Sequence, residues 1–277
     1  MTAYEGDKFG GATSSWIGRL GNLRNVVRQE LIRRQLASHL PGAPAHVIDV
    51  GAGQGTQAVA LAALGHEVLA LEPSEEMRDA CATTLAELDA ATAARVTIND
   101  GRIDTLVAPD TRRTSGDEAA APTRFDVVCC HGVLMYLDDP APALAALAGA
   151  VAPGGILSLV ARNAGGMALR PGLRGDWRGV IDLLAAAATD RRYRNEIGVE
   201  ARADDIDETV AALAEHGLAA AAVYGVRLVT DGVDVDTPVP ADRDELAALL
   251  DAEDALCRTD PYRRVATLFH VIARRPQ

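Results

Sequence analysis

From Trp16 to Leu40 the apolar residues Ile17, Leu20, Leu23, Val27, Leu31 and Leu36 recur at three- and four-residue steps, the spacing of one helical face. This predicts an N-terminal helical cap over residues 15–40. The period then changes. AHVIDV, HEVLALE, RVTIND, FDVVCCHGVL and GILSLVA read as strands. Between them, TQAVALAALG, a stretch from Ser74 to about Ala94, and PAPALAALAGAV read as helices. Ser74 is a suitable N-cap, and Pro153-Gly154-Gly155 stops the last helix before the fifth strand. This alternation predicts a parallel sheet with helices on both faces. After an irregular segment, helix DETVAALAEHG, strand AAVYGVRLVTD, helix DELAALLDAEDAL and strand RVATLFHVIARRP restore the rhythm. The expected fold is α/β: a doubly wound, seven-stranded mixed sheet with a helical cap and a lid, residues 162–205, inserted after the fifth strand. The last two strands are the place for a sheet edge with an antiparallel member. Residues 1–14, polar and Gly-rich, read as poorly ordered. Residues 107–123, with Pro, Gly, Ser and charge but no periodicity, read as a surface loop.

Composition narrows the function classes. A length of 277 residues suits one α/β domain with insertions, here 15–277. No apolar run approaches the ~18 residues of a membrane span, and the N-terminus lacks the basic start and apolar stretch of a secretory signal, so a cytoplasmic protein is expected. Cys81, Cys129, Cys130 and Cys257 have no metal-ligand spacing and read as buried free thiols, with no metal site. A formal charge of −12 argues against non-specific nucleic-acid binding over the whole surface. A local exception lies in the lid, where Arg162, Arg170, Arg174, Arg178, Arg191, Arg192 and Arg194 are interleaved with Trp177 and Tyr193. Cations with aromatics suit a single-stranded RNA loop, and they equally describe a solvated, Arg-biased lid.

In Asp49-Val50-Gly51-Ala52-Gly53-Gln54-Gly55, glycines let the backbone turn tightly and approach a ligand. A dinucleotide fingerprint wants glycine where Thr56 stands. The observed order, GxGxG preceded by an acidic strand residue, resembles the first motif of class I S-adenosylmethionine-dependent methyltransferases. Glu72 ends the second strand, where a carboxylate can accept bonds from both ribose hydroxyls of either cofactor class. The segment from Asp100 to Asp104 and Pro153-Gly154-Gly155 add to the methyltransferase resemblance, which implies a Rossmann-like fold and S-adenosyl-L-methionine as cofactor.

GNLRNVV, VIDVGAGQGTQA, CCHGVLMYLDDP, GGILSLVARNAGGM, YGVRLVTD and DPYRRVATLFHVIARRP carry the resemblance further. From about Gly18 to Pro276 the chain resembles the tRNA 5-carboxymethoxyuridine methyltransferases, which esterify a carboxylate on a wobble uridine. The resemblance implies cofactor contacts at Arg24, Gly51, Ala52, Gly53, Glu72, Arg102, Ile103 and His131. Arg24 would clamp the methionyl carboxylate, and an exposed helix charge is the plain alternative. His131 would lie close to the methionine part, or be a satisfied strand-end histidine. The chain departs from the pattern in two places. Glu72 stands where the family usually has Asp, and a run of lysines after the fifth strand is replaced by the lid arginines.

Methyl transfer is an in-line displacement, so positioning supplies most of the catalysis. A carboxylate acceptor is already ionised and needs no general base, which accords with the absence of a Ser/His/Asp constellation; a hydroxyl or amine acceptor would make His131 a candidate base. An anionic acceptor needs a cation and donors above the methyl group. Arg227 in YGVRLVTD is the first candidate anchor, with Asn163 and Tyr224 behind it and Tyr262 and Arg263 in the DPYRR turn as further positions. Expected partners are a tRNA anticodon loop or a small-molecule acceptor. The competing readings are O- or N-methylation of a small metabolite and a non-catalytic cofactor-binding protein.

Overall fold

The structure is a computed structural model that describes Gly18, residues 21–103, Leu106, residues 124–195 and residues 198–277. The expectations for residues 1–14 and 107–123 lie outside the described residues, as do Ile17 and Leu20 of the cap. Seven strands form one sheet in the order β3-β2-β1-β4-β5-β9-β8. They are β1 (His46–Val50), β2 (Glu67–Leu71), β3 (Val96–Asn99), β4 (Phe125–His131), β5 (Val151–Arg162), β8 (Ala219–Val226) and β9 (Leu268–Arg274). β1 to β5 pair in parallel, and β9 runs antiparallel between β5 and β8. The antiparallel member is thus one strand in from the edge.

Alternation along the strands divides the core. Ile48, Val50, Val128, Cys130, Leu157 and Leu159 face helices α5 (Ala141–Ala150) and α8 (Ile206–Glu215) through Leu144, Leu147, Ile206 and Leu213. Val47, Val127, Cys129 and Ile156 face α2 (Thr56–Ala63), which supplies Ala58, Leu61 and Ala62, and Leu36 of α1 (Leu23–Ala37). Both faces are covered, which is why FDVVCC is a continuous apolar run. The four cysteines are buried and free.

The cap helix α1 starts at Leu23, where Asn22 accepts a hydrogen bond from the Asn25 amide. The stretch after Ser74 is two helices: α3 (Glu75–Ala86), capped by Ser74, and α4 (Ala90–Ala93). Asp89 accepts from the Ala91 and Thr92 amides and restarts the turn, which divides the single helix the periodicity predicts. Pro153-Gly154-Gly155 lies inside β5, because α5 already ends at Ala150. A side chain on Gly155 would approach the Asp126 carbonyl oxygen to 2.9 Å, so the strands meet there only through glycine.

The segment between β5 and β8 contains α6 (Leu169–Leu173), α7 (Trp177–Ala187) and the hairpin β6 (Arg192–Arg194)/β7 (Glu200–Arg202) before α8. The last long helix, α9 (Arg243–Arg258), packs against β8 and α1. Among the described residues no helix is long and apolar enough to cross a membrane, and no group of three or more His, Cys, Asp or Glu is placed to hold a metal.

Candidate functional site

The strand order reverses between β1 and β4, and at their carboxyl ends a cleft of about 1670 Å³ opens. Its first wall is the glycine turn. Gly51 has φ +72°, and a Cβ there would collide with Cγ2 of Val133. The Gly51 and Ala52 amides donate to the Leu71 carbonyl at 2.8 and 3.0 Å, tying the turn to β2. Buried Glu72, one residue beyond β2, accepts from the Gly53 amide at 2.8 Å and from the Ser74 amide at 2.9 Å. Its carboxylate is therefore held at the turn, at the edge of the cleft, where a ligand's hydroxyls can meet it.

Beneath the turn lies Asp49, only 2% exposed, whose Oδ2 has no hydrogen-bond partner. Burial, and then the charge of Glu72, push its carboxyl up to about 7. A buried carboxyl with an orphaned oxygen in a cleft suits a cationic hydrogen-bond donor on the ligand. Together with a turn that only glycine can make, these groups fit an aminoacyl nucleoside such as S-adenosylmethionine, which carries an ammonium and two ribose hydroxyls.

Farther along the cleft stands His131 at the end of β4, with Nε2 2.8 Å from Oγ of Ser158. Burial, and then the neighbouring Arg28, hold its imidazole down at about 3, so the ring is neutral at physiological pH. Beyond it four guanidinium groups converge on the cleft: Arg28 of α1, Arg162 at the end of β5, Arg170 of α6 and Arg227 after β8. Burial lowers Arg28 and Arg227 to about 10, and for Arg227 the charges of Arg170, Arg28 and Arg162 push the same way. Asp231 sits among them, taking two hydrogen bonds from Arg170 and lying 2.8 Å from Nε of Arg227. Arg162 stacks over the Tyr193 ring at 5.4 Å.

Of the sequence-predicted positions, Arg24, Gly51, Ala52, Gly53, Glu72, Arg102, Ile103, His131 and Arg227 all line this one cleft. Two candidate anchors do not. Asn163 is buried and spends its side chain on the Arg264 and Ala266 carbonyls and the Gly165 amide. Tyr224 lies in the core beside His270 of β9, its hydroxyl 2.7 Å from Nε2 of His39. Tyr262 and Arg263 form a turn outside the cleft, where Arg263 pairs with Asp260 and donates to the Val223 carbonyl. Arg227 itself is not on an alternating strand: β8 stops at Val226, and Arg227 turns out with φ +63°.

The lid arginines are also largely engaged. Arg174 donates to the Gly232 and Val233 carbonyls, Arg191 pairs with Glu208, Arg192 with Asp138 and Glu200, and Arg194 donates to the Gly198 carbonyl. Sequence reading missed Arg28, although its i,i+4 spacing from Arg24 puts both on one helical face. It also missed Asp231, which no local pattern marks.

A family model described as a methyltransferase domain matches residues 48–157, which span the glycine turn, Glu72 and β4. The chain carries a methyltransferase domain and is an S-adenosylmethionine-dependent methyltransferase. Over 259 residues this methyltransferase is 29% identical to a tRNA 5-carboxymethoxyuridine methyltransferase of Escherichia coli O157:H7, covering 93% of the chain and 90% of that relative. It is 31% identical to a ubiquinone biosynthesis O-methyltransferase of Xanthomonas campestris pv. campestris over 164 residues, 57% of the chain and 60% of that relative. The fold of the methyltransferase matches that of magnesium protoporphyrin IX methyltransferase from Synechocystis, solved with bound S-adenosylhomocysteine. The TM-score is 0.60 at 15% identity, with 97% of each chain covered.

Proposed function

We propose that this methyltransferase esterifies the carboxylate of 5-carboxymethoxyuridine at the wobble position of tRNA. The observation that carries the reading is the convergence of Arg28, Arg162, Arg170 and Arg227 on the far part of the cleft, where Asp231 ties Arg170 to Arg227. Such a site selects an anionic acceptor. The E. coli relative, similar along nearly its whole length, supports the tRNA substrate.

In this reading Arg24 clamps the methionyl carboxylate, the Gly51–Gly53 turn lets the backbone approach, and Glu72 accepts the ribose hydroxyls. Arg102 and Ile103 flank the adenine, and His131 lies by the methionine part. S-adenosylmethionine, when bound, supplies an electrophilic methyl group on a sulfonium. The arginine cluster would hold an acceptor carboxylate about 3 Å from that methyl, in line with the departing sulfur. The carboxylate brings no proton, so no base is needed. A neutral imidazole held near 3 is a poor proton acceptor, which counts against His131 as a base for a hydroxyl or amine acceptor.

The test is incubation with tRNA lacking the methyl ester, followed by mass spectrometry of the nucleosides. Formation of the methyl ester supports the reading. Bound cofactor without ester formation transfers the activity to a small anionic metabolite, a reading favoured by the internal pairing of the lid arginines.

A further inference from the structure

Three polar side chains lie in the core between α1, β5 and β9. Gln35 of α1, Ser158 of β5 and His270 of β9 are each fully buried. They form one continuous row behind His131. Nε2 of His131 is 2.8 Å from Oγ of Ser158, and that same Oγ is 2.8 Å from Nε2 of His270. Nδ1 of His270 is 2.9 Å from Oε1 of Gln35, and Nε2 of Gln35 donates to the Gly225 carbonyl at 3.0 Å.

Cys129, whose side chain also neighbours Ser158, is kept a thiol by burial and needs no proton from it, so the remaining partners set the direction of the row. The Gly225 carbonyl can only accept, so the amide nitrogen of Gln35 faces it and Oε1 faces His270. His270 must therefore carry its proton on Nδ1. Among the described residues His270 is hydrogen-bonded to Gln35 and Ser158 and to no carboxylate, and the rings beside it are those of His131 and Tyr224. Burial without a counter-charge keeps it neutral, so its Nε2 is bare and takes the single Ser158 proton. Oγ of Ser158 then has only lone pairs to offer His131, and the proton of His131 lies on Nε2.

We propose that Gln35, His270 and Ser158 are positioning residues that lock His131 in its Nε2–H tautomer, presenting Nδ1 to the methyl-transfer cleft as a fixed hydrogen-bond acceptor. The ligand group it takes is an N–H or O–H donor. Two sources bring one: the ammonium of the cofactor's methionine and the base or ribose of the acceptor. A second proton on the ring is opposed by its burial and then by Arg28 on the cleft side. The chain thus commits three core positions to the proton of one side chain.

The tautomer is read by long-range proton–nitrogen NMR of the histidine side chains of the full-length protein at pH 7. His131 is expected as Nε2–H and His270 as Nδ1–H. In Ser158→Ala and in Gln35→Met, His131 populates both tautomers, and Ser158→Thr restores one. An Nδ1–H form of His131 in the wild type overturns the proposal, as does an unchanged His131 in the variants; Gln35→Met is decisive if Ser158→Ala does not fold.

S-adenosylhomocysteine is then added, followed by tRNA lacking the methyl ester. A shift of the Nδ1 resonance with the first assigns the donor to the cofactor; a shift only with the second assigns it to the acceptor. No shift with either overturns the acceptor role. The ligand that moves Nδ1 binds about three- to tenfold more weakly to Ser158→Ala, the worth of one hydrogen bond. The tautomer measurement is independent of the tRNA reading, and only the tRNA arm rests on it.

Discussion

Oδ1 of Asp231 is shared: Nη2 of Arg170 donates to it at 2.6 Å, and Nε of Arg227 lies 2.8 Å away. Two arginines from separate elements, one in α6 and one after β8, are thereby held to one carboxylate. Their guanidinium charges keep the Asp231 carboxyl well below the usual range despite its burial. A depressed folded-state pKa means stability that is present above the unfolded value near 3.8 and lost as pH falls below it. Asp231→Asn is expected to cost about 3 kcal/mol at pH 7, the order found when one partner of a buried pair is removed. In urea denaturation the gap from wild type closes below pH 4. A constant gap from pH 7 to pH 3 contradicts the assignment.

Arg227 bears on activity separately from stability. Arg227→Ala removes one cation of the cluster while leaving the glycine turn and Glu72 untouched. The expected result is a fall of about 10²-fold or more in kcat/KM for the tRNA acceptor, with S-adenosylhomocysteine affinity within about threefold of wild type. Calorimetry and a radiolabelled methyl-transfer assay measure the two. Equal loss in both places Arg227 in the cofactor site instead.

Glu253 holds this region from behind. Fully buried in α9, it accepts from the Leu228 amide through Oε2 and from the Thr230 amide and hydroxyl through Oε1. These bonds fix the turn in which Arg227 has φ +63° and from which Asp231 projects. Glu253→Gln sets an amide N–H against one of those donors and is expected to cost about 1–3 kcal/mol. Thermal unfolding reads the loss. Isosteric tolerance would show that the turn holds itself.

The core of the fold was legible because its signals are local. A strand, a glycine turn and a helix repeat at short range, and Ser74 caps the helix that its position predicts. The element boundaries were less so: Asp89 restarts a helix within an alanine-rich run that carries no breaker, and Pro-Gly-Gly is absorbed into β5. For the site, residues that follow parallel strands, such as Glu72 and His131, were legible because strand ends share one edge. Arg227 was legible as a candidate and Arg162 and Arg170 as lid cations, but their convergence with Arg28 and Asp231 was not, since these come from elements far apart in sequence. Asn163 and Tyr224 show the converse, being polar groups in suggestive motifs that serve only the packing of the β5 and β8 connections. Ser158 and His270 carry no motif, and the sole local mark of each is a polar residue inside the apolar runs GILSLVA and LFHVIA.

Asp49 gives the pH dependence its sign. Its carboxyl is raised from an ordinary 3.8 to about 7 by burial and by Glu72. A raised folded-state pKa means that the unliganded protein loses stability as pH climbs from about 4 through 7, because the buried carboxyl must ionise beside another carboxylate. The full shift corresponds to up to about 4 kcal/mol. Asp49→Asn is therefore expected to melt higher than wild type at pH 8 and about the same at pH 4. Cofactor binding runs the other way. A ligand ammonium favours the ionised carboxylate, so the affinity of the wild type for S-adenosylhomocysteine rises between pH 6 and pH 8 with release of a proton, and Asp49→Asn abolishes both the rise and the release. Calorimetry in buffers of different ionisation enthalpy measures the proton directly. Proton uptake, or none, across that interval would mean that Asp49 is not the group that meets the cation.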